Sequence, residues 1–350
     1  MSPTRRITAA AALALVTTLG AGACSSQSDS SAGASGDGPR KVDLMVSYQR
    51  SLAFIGEIMA QENGYFADEG LDVELQASEG GTYVVQQLIA GKIPYGLAST
   101  EGTSVAASQG HQLQGISEAD RDIILIGAPQ GSGVTSVTDL AGKTLGITDP
   151  GGGEVGLVNA VLDAQGLTDQ VNVVAVGAGG PAVFDALQTG KIAAYAGYTN
   201  DLAAVEAQGS AFVNILPEDF RGMPANSFVL KHDASSDERD TLIKIVRAWN
   251  RGTVDALNDP GTALEVGCSY VPEECTDMDT ARAYLDATLR GVAPRADKML
   301  GEYDYPALEL QASVLAGNAL GDQPIDFQKV FTNDYIEQTN DFTEPVLKDS

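Results

Sequence analysis

The stretch ENGYFADEGLDVEL, from Glu62 to Leu75, is the most informative about the fold. Apolar residues recur at helical spacing over residues 52–69. Gly70 then provides a stop, because glycine readily adopts the left-handed conformation that ends a helix. Residues 71–75 alternate apolar and acidic side chains, which is typical of a strand. The stretch therefore predicts a helix that leads directly into a strand, the basic step of an α/β fold.

Predicted strands and helices alternate on both sides of this stretch. Such alternation implies a mostly parallel sheet that is covered by helices on both faces. The predicted strands are residues 41–47, 71–75, 94–98, 122–127, 144–147, 171–176, 193–195 and 227–231. The predicted helices are residues 52–69, 82–90, 100–109, 154–165, 181–188, 200–207, 236–258, 261–267, 279–289 and 306–315.

Two such α/β sets are predicted rather than one. Residues 88–95 and 187–194 share an outline of helix end, Gly, Lys and new strand, as two related lobes would produce. A chain of 350 residues also suggests about two domains. We predict a first lobe from residues 41–130 plus 228–350 and a second lobe from residues 131–227. The Gly-rich residues 130–133 and the segment 223–226 are the candidate crossings between the lobes.

The N-terminal residues predict export and a lipid anchor. Arg5 and Arg6 precede a small-apolar run over residues 7–19, which is too short to span a bilayer as a stable helix. Small residues follow, and then Cys24, so residues 1–23 are predicted to be a signal peptide. A Cys directly after the cleavage site resembles the bacterial lipoprotein signal, in which this residue is lipidated. Ordinary cleavage near Ala23 is the alternative. Residues 24–40 are small and polar and predict a flexible tether.

Composition excludes several classes of function. The formal net charge is −26, and nucleic-acid binding requires a basic face instead. Two His leave little for a His-rich metal site, and three Cys exclude a disulfide-dense scaffold. Cys268 and Cys275 close a short loop, and outside the cytoplasm a pair this close predicts a disulfide. We expect no metal, no cofactor, no nucleic acid and a monomer.

Four segments together resemble a known family. Residues 62–75, 88–99, 137–147 and 186–198 are similar to the substrate-binding lipoproteins of bacterial ABC importers, in the nitrate/sulfonate/taurine and thiamine-precursor binding group. The resemblance covers roughly residues 41–259 and departs at residues 177–180 and 268–275. It implies a type II periplasmic-binding-protein-like fold, with solute held in a cleft between two α/β lobes. It also implies that the protein lies at the extracytoplasmic face of the cell membrane and has an ABC permease as its partner.

In the first lobe, candidate ligand-binding residues follow the ends of predicted strands. Ligands bind beyond the carboxyl ends of strands in open α/β sheets, near helix N-termini whose N–H groups can hold an anion or a carbonyl. Phe54 is as consistent with the core as with the cleft, and Thr100 also suits a plain helix cap. The first-lobe candidates are Ser47, Tyr48, Gln49, Phe54, Gly80, Gly81, Thr82, Ser99, Thr100 and Glu101.

In the second lobe, a glycine loop and a tyrosine-rich segment stand out. Gly151, Gly153 and Gly156 satisfy G-x-G-x-x-G, but a dinucleotide site is disfavoured because Thr-Asp-Pro intervenes after the strand. The same loop and helix start suit a solute equally well. Tyrosines offer a flat face and a hydroxyl for a ring or a methylene chain. The second-lobe candidates are Gly151, Gly152, Gly153, Glu154, Tyr195, Tyr198, Asn200 and Asp201.

The charge of the candidate site indicates the kind of solute. It lacks an obvious cation apart from Arg50, whereas several carboxylates lie near it in the sequence: Glu79, Glu101, Glu154 and Asp201. This favours an amine or a ring, such as a taurine-like zwitterion or a pyrimidine thiamine precursor, over a bare anion. An extracytoplasmic enzyme is one alternative, although no G-x-S-x-G elbow occurs and His is scarce. A sensory lipoprotein on the same fold is the other.

Overall fold

The computed structural model describes residues 38–148, 150, 154–177, 180–209, 211–315, 320 and 324–348. The predicted signal peptide, Cys24 and most of the predicted tether lie outside these residues. The strands and helices all belong to one compact unit, residues 39–350. Within the described ranges, no helix is both long and apolar enough to cross a membrane.

Strands and helices alternate over the first two thirds of this unit, and helices dominate the rest. The strands are β1 Arg40–Val46, β2 Leu71–Ala77, β3 Tyr95–Ser99, β4 Leu113–Arg121, β5 Ile124–Pro129, β6 Thr144–Ile147, β7 Asn172–Ala175, β8 Ala194–Tyr198, β9 Phe212–Asn214 and β10 Pro224–Lys231. The helices are α1 Ile55–Glu62, α2 Tyr65–Asp68, α3 Gly81–Ile89, α4 Thr100–Ser108, α5 Glu154–Ala164, α6 Gly180–Gln188, α7 Thr199–Glu206, α8 Ser236–Asn258, α9 Pro260–Tyr270, α10 Met278–Val292, α11 Tyr305–Leu315, α12 Phe327–Val330 and α13 Ile336–Thr339.

The strands form two five-stranded sheets with the same plan. The first has the order β2-β1-β3-β10-β4 and the second β7-β6-β8-β5-β9. In each sheet four of the five strands run in the same direction, while β10 in the first sheet and β5 in the second run opposite to their neighbours. These two strands follow the chain crossings from β4 to β5 and from β9 to β10. Both sheets are therefore mostly parallel, as predicted, with one antiparallel strand in each.

The placement of β5 corrects two sequence expectations. The strand predicted over residues 122–127 pairs with β8 and β9, so it belongs to the second sheet and not to the first lobe. The first crossing accordingly lies between Arg121 and Ile124, and residues 130–133 are not a crossing. The second crossing ends at Pro224, inside the predicted segment. The sequence analysis missed β4 because its first six residues are buried on both faces and show no alternation.

A single helix over residues 52–69 is also wrong. The chain instead forms a 3₁₀ turn over Leu52–Phe54, then α1, then the short α2. Gly64 separates the two α-helices with φ of +74°, a left-handed conformation that glycine adopts without strain. The expected stop at Gly70 is present, with φ of +73°.

The long helix α8 covers one face of the first sheet. Its capping box joins Ser235 and Glu238, which fixes its start. Trp249 on α8 packs edge-on against Phe228 of β10, with 5.3 Å between ring centroids. Where α8 crosses α1, Gly252 and Gly56 lie so close that a Cβ on either would overlap the other helix. Trp249 belongs to the core, since its exposure is 7 %.

The C-terminal helices α10 and α11 pack against elements of both sheets. Helix α10 packs against α7, which follows β8 of the second sheet, and also against β4 of the first. Helix α11 contacts α4 from the first set and α5 from the second. A disulfide joins Cys268 at the end of α9 to Cys275 in the following 3₁₀ turn. Glu274 in that turn accepts a hydrogen bond from the N–H of Leu52, 2.8 Å away.

Candidate functional site

A cavity of about 580 Å³ lies between the two sheets. Residues from the first sheet's loops, from both crossings, from the second sheet's loops and from α10 and α11 line it. Seven of the first-lobe candidates contribute to its lining: Ser47, Tyr48, Gly80, Gly81, Thr82, Ser99 and Glu101.

The first-lobe wall is built from two converging helix starts. The Ser99 hydroxyl caps α4 by accepting from the N–H of Gly102 at 3.0 Å. Gly81 starts α3 so close to Ser99 that a Cβ would lie 2.6 Å from the Ser99 nitrogen. Glycine at this position therefore allows the N-terminal ends of α3 and α4 to meet at the cavity.

An aromatic stack supports Tyr48 from below. The Tyr48 ring lies on Phe54 with 4.7 Å between centroids and 22° between planes, and Phe54 meets Trp249 edge-on at 5.9 Å. Phe54 is 3 % exposed and belongs to the core, which was one of the two interpretations that the sequence left open for this residue. Gln49 is exposed but does not line the cavity. Thr100 does not line it either, because it is buried and its hydroxyl is hydrogen-bonded to the Ser227 hydroxyl at 2.7 Å.

The second-lobe wall contains fewer of the predicted residues. Tyr198 at the end of β8 lines the cavity, as do Thr199, Gly156 and Leu157. Tyr195 does not, because it is fully buried in the core of the second sheet, where its hydroxyl donates to the Gly177 carbonyl at 2.9 Å. Gly151, Gly152 and Gly153 lie outside the described residues, and only the backbone of Asn200, in α7, is described.

Two carboxyl groups predicted for the ligand lie behind this wall. Glu154 is fully buried, and its Oε1 accepts from the N–H of Thr148 at 2.8 Å. Asp201 lies in the first turn of α7. Burial raises the pKa of Asp201 to about 6, the N–H of Tyr198 lowers it, and the Glu154 carboxylate raises it further. Neither side chain lines the cavity, so both organise the wall rather than touch its contents.

The crossings supply a part of the site that the sequence analysis did not identify. Asp120, Arg121, Asp122, Ile123 and Ile124 line the cavity from the first crossing, and residues 223–226 line it from the second. The N–H of Asp122 donates to the Met223 carbonyl at 3.1 Å, and the N–H of Gly222 donates to the Asp122 carboxylate. The two crossings are thus bonded to each other at the cavity floor.

Asp120 is held beside the second crossing. Its carboxylate accepts from the backbone N–H of Asn226 at 2.9 Å and from the Asn226 side-chain amide at 3.0 and 3.1 Å. Burial raises the pKa of Asp120, and the hydrogen bonds from Asn226 oppose that shift. Since burial has the larger effect on the pKa, any further hydrogen-bond donor that reaches this carboxylate would stabilise its charged form.

The guanidinium of Arg121 serves the fold. Its Nη1 lies 3.5 Å from Glu118 Oε1, and its Nη2 donates to the Ala293 carbonyl at 2.5 Å. Arg295 also binds Glu118, at 2.9 Å, and donates to the Gly222 carbonyl at 2.8 Å. Burial raises the pKa of Glu118 to about 7, although both arginines lower it. This ionic cluster ties β4 and the second crossing to the segment after α10.

The C-terminal helices close the remaining side of the cavity. Tyr284, Ala287, Thr288, Gly291 and Val292 of α10 line it, together with Gln311 and Val314 of α11. Burial raises the pKa of Tyr284 to about 12, so its phenol stays neutral. Both helices were predicted, but nothing in their local pattern shows which long-range surface they meet.

Two buried polar atoms in the lining are unsatisfied. The Ser47 hydroxyl and Gln311 Oε1 have no hydrogen-bond partner among the described residues, and the two residues are 5 % and 8 % exposed. The Gln311 amide nitrogen donates to the Pro224 carbonyl at 2.6 Å, which fixes the side chain. Across the described chain, no three His, Cys, Asp or Glu side chains are grouped as metal ligands.

Comparison with known proteins places this geometry in context. Residues 51–263 match the family model described as NMT1/THI5 like. The riboflavin-binding protein RibY of Chloroflexus aurantiacus is 26 % identical over 305 residues, which cover 85 % of this chain and 86 % of RibY.

Solved structures share the fold at low identity. The periplasmic aliphatic sulphonate binding protein SsuA of Escherichia coli superposes with a TM-score of 0.64 at 15 % identity, over 85 % of this chain and 99 % of that one. A mutant of the desulfurization enzyme DszB, in complex with biphenyl-2-sulfinic acid, gives a TM-score of 0.57 at 14 % identity, over 86 % and 99 % of the two chains. The predicted two-lobed, periplasmic-binding-protein-like α/β fold is confirmed.

Proposed function

The chain belongs to the NMT1/THI5-like family, and from this premise we propose that it is the extracytoplasmic solute-binding component of an ABC import system. It captures a small organic solute in the cavity between its sheets and delivers it to a membrane permease. The similarity to RibY and to SsuA supports a binding role, because both names describe binding proteins.

The single observation that carries this proposal is an inter-sheet cavity with unsatisfied polar atoms in its wall. Its volume of about 580 Å³ falls in the range of small-molecule sites. Buried polar groups are normally hydrogen-bonded, and leaving one unpaired costs about 1–3 kcal/mol. A solute with a donor and an acceptor would satisfy both the Ser47 hydroxyl and Gln311 Oε1.

The lining favours a flat heterocycle over a bare anion. Tyr48, Tyr198 and Tyr284 approach the cavity from three different sides, and Phe220 adds a fourth ring. Aromatic faces stack on planar rings, and phenol hydroxyls bond their polar edges. The carboxylates in the lining oppose a sulfonate that carries no amine. We therefore infer a flavin-like or pyrimidine-like solute, the latter including thiamine precursors, with a taurine-like zwitterion as the second candidate.

Capture would use the two crossings as a hinge. They are the covalent connections between the sheets within residues 113–231, and their mutual hydrogen bonds give the hinge a defined geometry. Closing the lobes would bury the solute and present the permease with a distinct surface. The chain is proposed to act as a monomer without cofactor or metal.

An enzymatic role is the less favoured alternative. The fold itself is compatible with catalysis, since DszB shares it. The described lining offers Ser, Thr, Tyr, amide and carboxylate groups, but neither Cys nor His. Asp201, whose pKa is raised, lies behind the wall and not at its surface.

A sensory role is the other alternative. If the protein were a sensor, deletion of its gene would leave solute uptake intact, which an uptake assay measures.

The anchor is proposed at Cys24. Lipidation there would hold the body on the outer face of the cell membrane through the tether of residues 24–40. A Cys24→Ser variant should move from the membrane pellet to the soluble or secreted fraction. A variant that stays in the pellet after salt washing would contradict the anchor.

Calorimetric titration tests the binding role directly. Riboflavin, a pyrimidine thiamine precursor and taurine are titrated into the purified protein, and one of them should bind without turnover. At a solute concentration of one hundred times Kd, the free energy of unfolding should rise by about 2.7 kcal/mol. A Tyr284→Leu variant should lose affinity, whereas Tyr83→Leu, on an exposed residue of α3, should not. Product formation, or no binding by any class, would contradict the proposal.

A further inference from the structure

The carboxylate of Asp120 lies where both crossings meet the cavity. In the antiparallel ladder of β4 with β10, Asp120 is paired with Asn226. Both residues line the cavity. A solute held between the lobes would therefore meet this carboxylate at the floor of the site, whichever lobe it contacts first.

The hydrogen bonds to Asp120 leave acceptor capacity unused. All three come from Asn226, two of them to Oδ1 and only one, at 3.1 Å, to Oδ2. An ionised carboxylate offers about four acceptor positions, so Oδ2 can still take a donor from a solute. Asn226 fixes the orientation of the group without neutralising its charge.

No cation compensates that charge. Among the described residues, no Lys, Arg or His nitrogen lies within 4.0 Å of Asp120 in an ion pair. Arg121 next to it is bound to Glu118 at 3.5 Å and to the Ala293 carbonyl. Two further carboxylates line the cavity, Glu101 and Asp122. An anionic solute would thus face several negative groups and one guanidinium that is already ion-paired.

We propose that Asp120 determines the charge selectivity of the site: its Oδ2 accepts a hydrogen bond from an N–H or O–H of the solute. The site consequently takes neutral or cationic solutes with such a donor and rejects phosphorylated or sulfonated forms of the same molecule. This assignment rests on the proposed binding function and specifies the chemistry of its solute. Asn226 is the positioning residue, because it acts through Asp120.

Riboflavin and its 5′-phosphate ester make a matched pair of probes, since they differ by one anionic group. By calorimetry, the unchanged protein should bind riboflavin at least about 10-fold more tightly than the ester. Asp120→Asn should weaken riboflavin binding by roughly 10- to 100-fold, the range expected for a hydrogen bond to a charged group, and remove most of the preference. Asp169→Asn removes an exposed carboxylate that does not line the cavity, so it is the control for overall charge and should change neither value.

Asn226→Ala separates charge from positioning. The variant should bind riboflavin more weakly but still reject the ester, because the carboxylate of Asp120 remains. Equal binding of the two probes by the unchanged protein would overturn the assignment, and that measurement needs no variant to fold. Retention of the full preference in a folded Asp120→Asn protein would also overturn it. Absence of binding by riboflavin, its ester, a pyrimidine precursor and taurine alike would instead overturn the proposed binding function, and the assignment with it.

Discussion

Replacing Arg295 by Met should destabilise the protein strongly, because this side chain is the main counter-charge of a buried acid. Arg295 lies 2.9 Å from Glu118 Oε1 and 3.3 Å from Oε2, in a forked arrangement. The Glu118 side chain is 3 % exposed and that of Arg295 is 17 % exposed. Methionine keeps most of the aliphatic volume, so the change removes charge and hydrogen bonds rather than packing.

The size of the effect follows from the burial of Glu118. Removing one partner of a buried ion pair typically costs about 3–5 kcal/mol, since the other charge stays behind without compensation. Arg121, at 3.5 Å, compensates only in part, which places the expected loss near 3 kcal/mol. The bond from Arg295 to the Gly222 carbonyl, which ties the second crossing to this cluster, is lost as well.

The loss of stability in the Arg295→Met variant should depend on pH and be larger at neutral than at acidic pH. Burial raises the pKa of Glu118 from 4.5 to about 7, while Arg295 and then Arg121 lower it. The folded state therefore binds a proton more readily than the unfolded state, so this group reduces stability as pH rises from about 4.5 to 7. Without Arg295 the folded-state pKa rises further. The deficit of the variant should thus be largest at neutral pH and shrink toward pH 5.

Urea unfolding at pH 7.5 and pH 5.0 measures both effects. Arg290→Met is the matched control, because Arg290 is an exposed arginine in the last turn of α10, the helix that precedes Arg295 in the chain. The double change Glu118→Gln with Arg295→Met should recover part of the stability at pH 7.5, since it removes the stranded charge. A loss below about 1 kcal/mol at pH 7.5, or a loss that does not shrink at pH 5.0, would show that Arg295 is not the main counter-charge of Glu118.

Three further outcomes are expected. Gly252→Ala should cost roughly 1–3 kcal/mol in urea unfolding, because its Cβ would overlap α1, whereas Gly156→Ala, with open space around its Cβ, should not destabilise. Replacing Cys268 and Cys275 by Ser should cost about 2–3 kcal/mol in the same assay, and an unchanged midpoint would contradict a stabilising disulfide. Tyr195→Phe should lose about 1 kcal/mol with the bond to Gly177 but keep solute affinity, and reduced affinity in calorimetry would show that this residue reaches the solute.

The sequence predicted local elements well where one physical signal dominated. The strand over residues 144–147 and the helix over residues 236–258 have the predicted bounds. Their signals are a short apolar strand and a capped amphipathic helix, both of which are local. β4 was missed because burial on both faces removes the alternation on which a strand prediction depends.

The site was predictable only to the extent that strand ends determine it. Ser47, Tyr48 and Ser99 line the cavity because they follow or end strands of the first sheet, as expected. Tyr195 and Tyr198 could not be distinguished in the same way, since only the pairing of β8 shows that Tyr195 enters the core. The wall from α10 and α11 depends on contacts between residues far apart in sequence, for which no local pattern exists.

The crossings explain why the sequence indicated the sign of the charge but identified only part of its source. Of the carboxylates that were expected to give the site its acidity, Glu101 lines the cavity, whereas Glu154 and Asp201 lie behind the second-lobe wall. Asp120 and Asp122 supply further negative charge at the first crossing, which was predicted eight residues too late in the chain. Because these residues also hold the two crossings together, a solute bound to them would touch the hinge itself. Binding and closure would then share one set of hydrogen bonds, so changes at Asp120 should alter both.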